Sequence, residues 1–403
     1  MAIKKLTGRD IHEQHRVSTP LELLFDLTFV VAISISSAAM HNKFSEGHGL
    51  ELLLPFVFTF FGSWWAWMIY TWFASAYGEE DFTFRILTLV QMLGVLIFAT
   101  GIETFFQSTV SPLAVSGYAV MRVALAIQWF RAAAGDVQHR KVCLRYAFGI
   151  IFCQILWIAR LWFPEHWLSS SFYLFAMLEM AVPVYAELKD GSGSGTPWHP
   201  HHIAERYALF TIICIGEEIL GAANSIASVI KSEGISFDFA VMATGSISLV
   251  FGLWWLYFML PSGDALHKYR NRAFVWGYSH FFVFVALAAI GSGLSVAADV
   301  FLPNAKVTAL EAVRLIAIWL AVYIAMVCGL YSYITNVGSR NLVLVTSSIL
   351  LICAVVLLTQ FGLPLSWGLL LLNTPTILVI MFFECGKGHG PRPHKLPKFF
   401  GRD

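Results

Sequence analysis

The sequence predicts an all-α, polytopic membrane protein with about twelve transmembrane helices, and three observations carry that prediction. Hydrophobic residues make up 58% of the 403-residue chain and charged residues 13%, about half the charged share of an ordinary soluble protein. With a mean hydropathy of +0.69, there is too little polar surface to cover a water-soluble globule. The apolar residues also gather into runs of about 20, the length that crosses a bilayer. These features exclude a soluble enzyme, a disordered tail and a nucleic-acid binder, and make the lipid bilayer the first expected partner.

Twelve spans are expected, over 20–40, 50–76, 85–106, 113–131, 142–163, 167–187, 205–230, 237–260, 273–299, 309–333, 341–362 and 366–384. An even number returns both termini to one side. Of the 26 Lys and Arg, 19 then fall on the side of the termini, only Lys43, Lys231 and Lys306 on the other, and Arg122, Arg145, Arg160 and Arg314 inside spans. By the positive-inside rule the termini are cytoplasmic. The polar stretch 1–19 is an N-tail rather than a cleaved signal peptide, since no small-residue cleavage site follows a short apolar core; 385–403 is the C-tail. The six cysteines show no metal-ligand spacing and read as small core residues, so no metal or cofactor is expected.

The two halves of the chain match at an offset of about 185–195 residues. Gly62-Ser-Trp-Trp-Ala-Trp answers Gly252-Leu-Trp-Trp-Leu-Tyr, Arg85 answers Arg272, Arg122 answers Arg314, and Arg145 answers Arg340. Residues 20–187 and 203–384 are therefore expected to be two six-helix repeats of the same orientation, related by a pseudo-two-fold along the membrane normal. The segment 188–202, rich in Gly, Ser, Pro and His, is the linker between them. Pro183 and Pro375, 192 residues apart, are expected to break equivalent helices.

The run Arg16-Val-Ser-Thr-Pro20-Leu-Glu22-Leu-Leu-Phe25-Asp26-Leu-Thr-Phe29 resembles the bacterial low temperature requirement protein A (LtrA) family. The likeness continues through the Trp-rich second span, His202-Ile-Ala-Glu205-Arg206-Tyr-Ala-Leu-Phe210 with Gly216-Glu217, and Tyr278-Ser-His280, so it covers nearly the whole chain. It departs at Tyr77-Gly-Glu-Glu80-Asp81, where the family has an Asn/Asp-rich run. The resemblance implies a multi-pass bacterial inner-membrane protein linked by name to growth in the cold; Glu22, Phe25, Glu205 and Arg206 belong to its motifs. An Arg followed by Phe-x-Asp in a first helix is also similar to the signature of the non-classical lysosomal and bacterial potassium channels, although here Leu24-Phe25-Asp26 lacks its Ser and the second half has no counterpart.

Charges inside a bilayer cost roughly 2.5–3.5 kcal/mol each and persist where they face the protein interior with a partner. Glu22 and Asp26 are four residues apart, hence on one helix face, with Asp26 about 9 Å beyond Pro20 at the helical rise. Glu217 lies about 16 Å beyond Arg206 by the same measure, and Glu218 points about 100° away from it around the helix. Like charges so close make a protonated member expected, and Gly216 and Gly221 with Asn224 invite close backbone approach or a local break. Arg122 and Arg314 demand carboxylate partners. Two pseudo-symmetric acid–base pairs, spans 1 with 4 and 7 with 10, are one reading; Glu179 and Glu311 are rival partners. His280 reads either as a hydrogen-bonded packing element or as a proton or solute contact. In the Trp-His-Pro-His-His run at 198–202, His202 with Glu205 and Arg206 is expected to cap and orient span 7 rather than to bind metal.

No nucleophile elbow, HExxH or phosphate loop is present, and the chain is not expected to be an enzyme. The leading expectation is a transporter of an ion or small solute whose pathway uses Asp26, Glu217, Glu218, Arg122, Arg314 and His280. The alternatives are a K⁺ or H⁺ channel, or a membrane sensor or accessory protein whose buried charges are structural.

Overall fold

The computed structural model describes residues 5–11, 13, 16–108, 110–188, 195–335 and 340–386. Positions 189–194 of the expected linker and 387–403 of the expected C-tail lie outside the described residues.

Twelve helical segments among the described residues are long and apolar enough to cross a membrane, and each coincides with an expected span. In chain order the helices are α1 (Pro20–Ser45), α2 (Leu53–Tyr77), α3 (Phe82–Thr100) continued by α4 (Ile102–Gln107), α5 (Pro112–Gly135), α6 (Arg140–Ala159), α7 (Glu165–Leu188), α8 (Pro200–Glu233), α9 (Phe237–Phe258) with α10 (Ser262–Lys268), α11 (Ala273–Asp299), α12 (Ala309–Thr335), α13 (Arg340–Gln360), and α14 (Leu365–Leu371) continued by α15 (Asn373–Gly386). No strand occurs among the described residues.

Local chemistry starts these helices. Thr19 and Glu22 form a capping box ahead of Pro20, which needs no partner for its missing N–H at the first position of α1. Ser111 with Pro112 opens α5 and His199 with Pro200 opens α8 in the same way, each cap side chain accepting from the backbone three residues on. Asp81 and Ser236 cap α3 and α9.

Two helices are apolar around their whole circumference and form the centre of the bundle, as such helices must. Every residue of α11 from Val283 to Ala298 is buried, as is every residue of α2 from Ser63 to Thr71. Helix α11 is covered by α1, α8 and α12, and α2 by α1, α5 and α8. Helices α3 and α5 approach most closely at Gly94 and Gly117: a Cβ on Gly117 would lie 2.2 Å from the Phe98 nitrogen, and one on Gly94 2.8 Å from the Gly117 carbonyl. Small residues that let backbones touch are the usual adhesive where water cannot drive association.

Two expectations about breaks are corrected and one is met. Helix α8 runs unbroken through Gly216 and Gly221; a Cβ on Gly221 would lie 3.6 Å from the Ser295 hydroxyl of α11, while one on Gly216 would meet open space. Pro183 sits inside an uninterrupted α7; the Tyr278 hydroxyl donates to the Met180 carbonyl at 2.9 Å, in the turn the proline crowds. A break does occur near Pro375, as expected, between α14 and α15, where the Asn373 amide donates to the carbonyls of Gly245, Leu369 and Leu370. Span 3 carries a further break at Gly101.

The N-tail is docked rather than free. Leu6 is buried, the Arg9 backbone donates to the Ala76 carbonyl at 3.0 Å, and its guanidinium donates to the Gly78 carbonyl at 2.8 Å. These contacts close the end of α2 and aim Arg16 and Thr19 at the start of α1.

Candidate functional site

Helices α1 and α8 each begin with a proline and lie side by side, so residues at equal distances from those prolines meet. At the second residue beyond each, Glu22 faces His202, with His202 Nε2 3.3 Å from the carboxylate. At the sixth, Asp26 faces Arg206, whose Nη2 and Nε donate to its two oxygens at 2.5 and 3.1 Å. The Arg206 Nη1 atom is also 3.2 Å from Glu22. Trp67 of α2 adds a 2.6 Å bond to Asp26, and Arg16 of the tail a 3.3 Å bond to Glu22. Two carboxylates against two guanidinium groups leave this buried cluster balanced, as charges out of water must be. Around it Phe25 stacks on Tyr70 with ring centroids 3.8 Å apart, and the Ser18 N–H donates to Glu205 at 3.3 Å. Where the tail leaves the membrane region, burial pushes the Arg16 guanidinium below its ordinary value, opposed by the neighbouring Glu22.

This geometry corrects the expected pairing of span 1 with span 4. The partner of Asp26 is Arg206, read from sequence as part of a helix cap; the cap of α8 is His199, whose Nδ1 accepts from the His202 N–H at 3.3 Å. Arg122 meets the rival acid Glu179 at 3.0 Å, with the Tyr118 hydroxyl 2.5 Å from the same carboxylate, all three buried between α5 and α7. Span 7 does not pair with span 10 either. Arg314 is the sixth residue of α12, near its end rather than mid-span; it is exposed and reaches Gln360 at 3.5 Å. Glu311 is occupied by the Thr308 N–H and hydroxyl, each at 2.8 Å, which starts α12. The reason is geometric: which faces of two helices meet depends on their rotation in the bundle, and Arg122 faces α7 rather than the centre.

Farther along the α1–α8 seam lies Glu217, half-exposed, with the Ser34 hydroxyl donating at 2.5 Å. Glu218 beside it turns inward and is buried, with neither carboxyl oxygen finding a hydrogen-bond partner. The α11 backbone seals it: a Cβ on Gly291 would lie 2.4 Å from Glu218 Cγ. One step beyond, the Ser292 hydroxyl joins α11 to the Ser37 carbonyl of α1 at 3.1 Å. On the same edge of the bundle His41 and Ser45 both hold Asp299, each at 2.7 Å.

His280 is apart from this seam, on the α9 side of α11. Its Nδ1 is 2.7 Å from the Trp276 carbonyl, which fixes the proton there, and Nε2 accepts from Tyr257 at 3.1 Å. With both ring nitrogens occupied and Tyr207 edge-on to the ring, it is a hydrogen-bonded packing element in this conformation.

The structure thus brings Asp26 together with Arg206, and Glu217 together with Glu218 and Ser34, and leaves Arg122, Arg314 and His280 elsewhere. Sequence reasoning missed His202 and Arg206 as intramembrane partners and Ser34 altogether. The available signal was the equal spacing of Glu22 and Asp26 after Pro20 and of His202 and Arg206 after Pro200.

The sequence agrees with known proteins along nearly the same extent. It is 26% identical over 300 residues, 71% of each chain, to an uncharacterized protein of Rhizobium meliloti. The profile of the Bacterial low temperature requirement A protein (LtrA) matches residues 17–379, from the residue after Arg16 to within α15. The chain belongs to the LtrA family.

Proposed function

We propose that this protein is a non-enzymatic transporter of an ion or small solute in the bacterial inner membrane, with both termini cytoplasmic and its pathway along the α1–α8–α11 seam. One observation carries the reading: a half-exposed carboxylate, Glu217, stands beside a buried and partnerless one, Glu218, far inside the longest helix. Intramembrane acids are retained at a cost and typically mark ion or solute paths. The Asp26–Arg206 and Arg122–Glu179 pairs are read as locks that fix the helices around this path, since their charges are mutually satisfied. The skew of Lys and Arg toward the terminal side supports the orientation. The matched prolines of α1 and α8 support two like-oriented halves with the path between them.

The test is flux through purified protein in liposomes, with K⁺, Na⁺ and H⁺ gradients imposed in turn and wild type compared with Glu217→Gln and Asp26→Asn. Flux that Glu217→Gln lowers markedly while leaving the protein monodisperse is the expected result. Flux unchanged in that variant would remove Glu217 from the path; absence of flux for every ion would overturn ion transport and favour the sensor reading.

A further inference from the structure

We infer that Glu218 is the proton-binding site that couples this protein to the proton gradient; the inference rests on the transport reading above and names its coupling ion.

Four observations converge on a proton rather than a metal cation. Glu218 is buried and both oxygens lack any hydrogen-bond donor among the described residues. Among the described residues no Lys, Arg or His forms an ion pair with it, while Arg206, Arg122, His202 and His41 are each engaged with other acids. An ionised carboxylate so placed is far more costly than a neutral acid, so in this conformation the group holds its own proton. A bound cation would need several oxygen ligands at one point, and the surroundings do not supply them. The wall from α11 is Gly291, which has no side chain. The neighbouring hydroxyl of Tyr323 on α12 donates to the Leu253 carbonyl at 2.7 Å, and that of Tyr257 on α9 is engaged with His280.

The titratable groups facing the site are few among the described residues: Glu217 and Cys214 on α8 and Tyr323 on α12, with Tyr257 of α9 behind them and already engaged with His280. Toward α1 the nearest are Ser34 on Glu217 and, deeper along the seam, Asp26, which Arg206 already neutralises. Among the described residues Glu217 is the acid beside Glu218 that is itself half-exposed, which makes it the relay. A proton taken up by Glu217 at the seam passes to Glu218 once a side-chain rotation brings the two carboxyl groups, held here on different helix faces, into contact. The transfer breaks one O–H bond and forms another, leaving Glu217 ionised on Ser34. Release to the other side requires α8 and α11 to part at Gly291.

Two measurements test this. In the first, infrared difference spectra of purified protein in lipid are titrated with pH. Wild type should show a protonated carboxyl band at neutral pH that shifts in D₂O, disappears in Glu218→Gln and persists in Glu217→Gln. In the second, liposomes loaded with a pH-sensitive dye are energised by a valinomycin-clamped K⁺ potential. Proton entry should fall to the level of empty liposomes in Glu218→Gln and slow in Glu217→Gln, with Glu218→Asp retaining part of it. Gln has the shape of the protonated acid, so the variant should fold; size-exclusion profiles check this. A wild type without the band, or a band intact in Glu218→Gln, overturns the inference. So does proton entry that Glu218→Gln leaves unchanged, or wild-type proton entry no faster than in empty liposomes. If K⁺ or Na⁺ flux survives that last result, transport stands and proton coupling alone falls; if no ion moves, ion transport falls with it.

Discussion

Arg206 grips Asp26 with two nitrogens, at 2.5 and 3.1 Å, across 180 residues of sequence. The same interval separates Glu22 from His202, one turn nearer the start of each helix. Both pairs count from a proline in the first position of a helix, Pro20 or Pro200. Two parallel helices entering from one side in register therefore meet level with level, and their polar residues pair like teeth of a zip.

Removing one member of the lower pair should be costly and removing both much less so. Asp26→Asn or Arg206→Gln each leaves the buried cluster with one uncompensated charge, a loss of about 3–5 kcal/mol. Asp26→Leu with Arg206→Met together should lose far less. The thermal unfolding midpoint of purified protein in mild detergent, read as a double-mutant cycle, checks this.

The Arg122–Glu179 pair should behave likewise, with a graded third member. Glu179→Gln leaves Arg122 buried beside a neutral amide and should be as damaging as the Asp26 change. Tyr118→Phe, which deletes only the 2.5 Å hydroxyl bond, should cost about 1–3 kcal/mol. The same unfolding midpoints distinguish the two.

At the α3–α5 contact, Gly117→Ala places a methyl group 2.2 Å from the Phe98 nitrogen, where neither backbone can yield without separating the helices. Overpacking of this kind costs about 1–3 kcal/mol or more. The expected outcome is a lower yield of monodisperse protein and a lower unfolding midpoint, while Gly216→Ala, with open space at its Cβ, should be nearly silent.

A pH dependence is expected at the end of α5. Asp136 is partly desolvated, which opposes ionisation, but the ring and backbone N–H of His139 and the Tyr77 hydroxyl hold its carboxyl below the ordinary value. A depressed acid stabilises the fold above its unfolded pKa, and that contribution is lost as pH falls through the folded one. Wild type should therefore be more stable than Asp136→Asn at pH 7, and the gap should narrow steadily on acidification below the usual Asp range. A gap constant with pH in parallel unfolding curves would contradict this.

Much of the site was legible before the fold was known. Asp26, Glu217 and Glu218 stand out because ionisable groups in apolar runs are rare, and the rarity is visible in one dimension. Their partners were not. Arg206 lies seven residues into α8 and looks like a cap when the helix is assumed to begin near it; a start at Pro200, set by the His199 cap, carries it inward. Ser34 carries no signal at all, being one of several serines in span 1 that matter only by facing α8.

The sequence by itself determined the twelve helices, because a bilayer leaves the backbone no alternative but internal hydrogen bonding wherever about twenty apolar residues follow one another. It also marked where many of them start, since Thr19–Glu22, Ser111–Pro112 and Thr308–Glu311 act within a few residues. Only the tertiary structure decided which acid meets which base and which acid meets none. Pairing inside the membrane depends on the rotation and depth of each helix, set by close contacts such as Gly94 on Gly117 and Gly291 on Glu218. No local pattern encodes these.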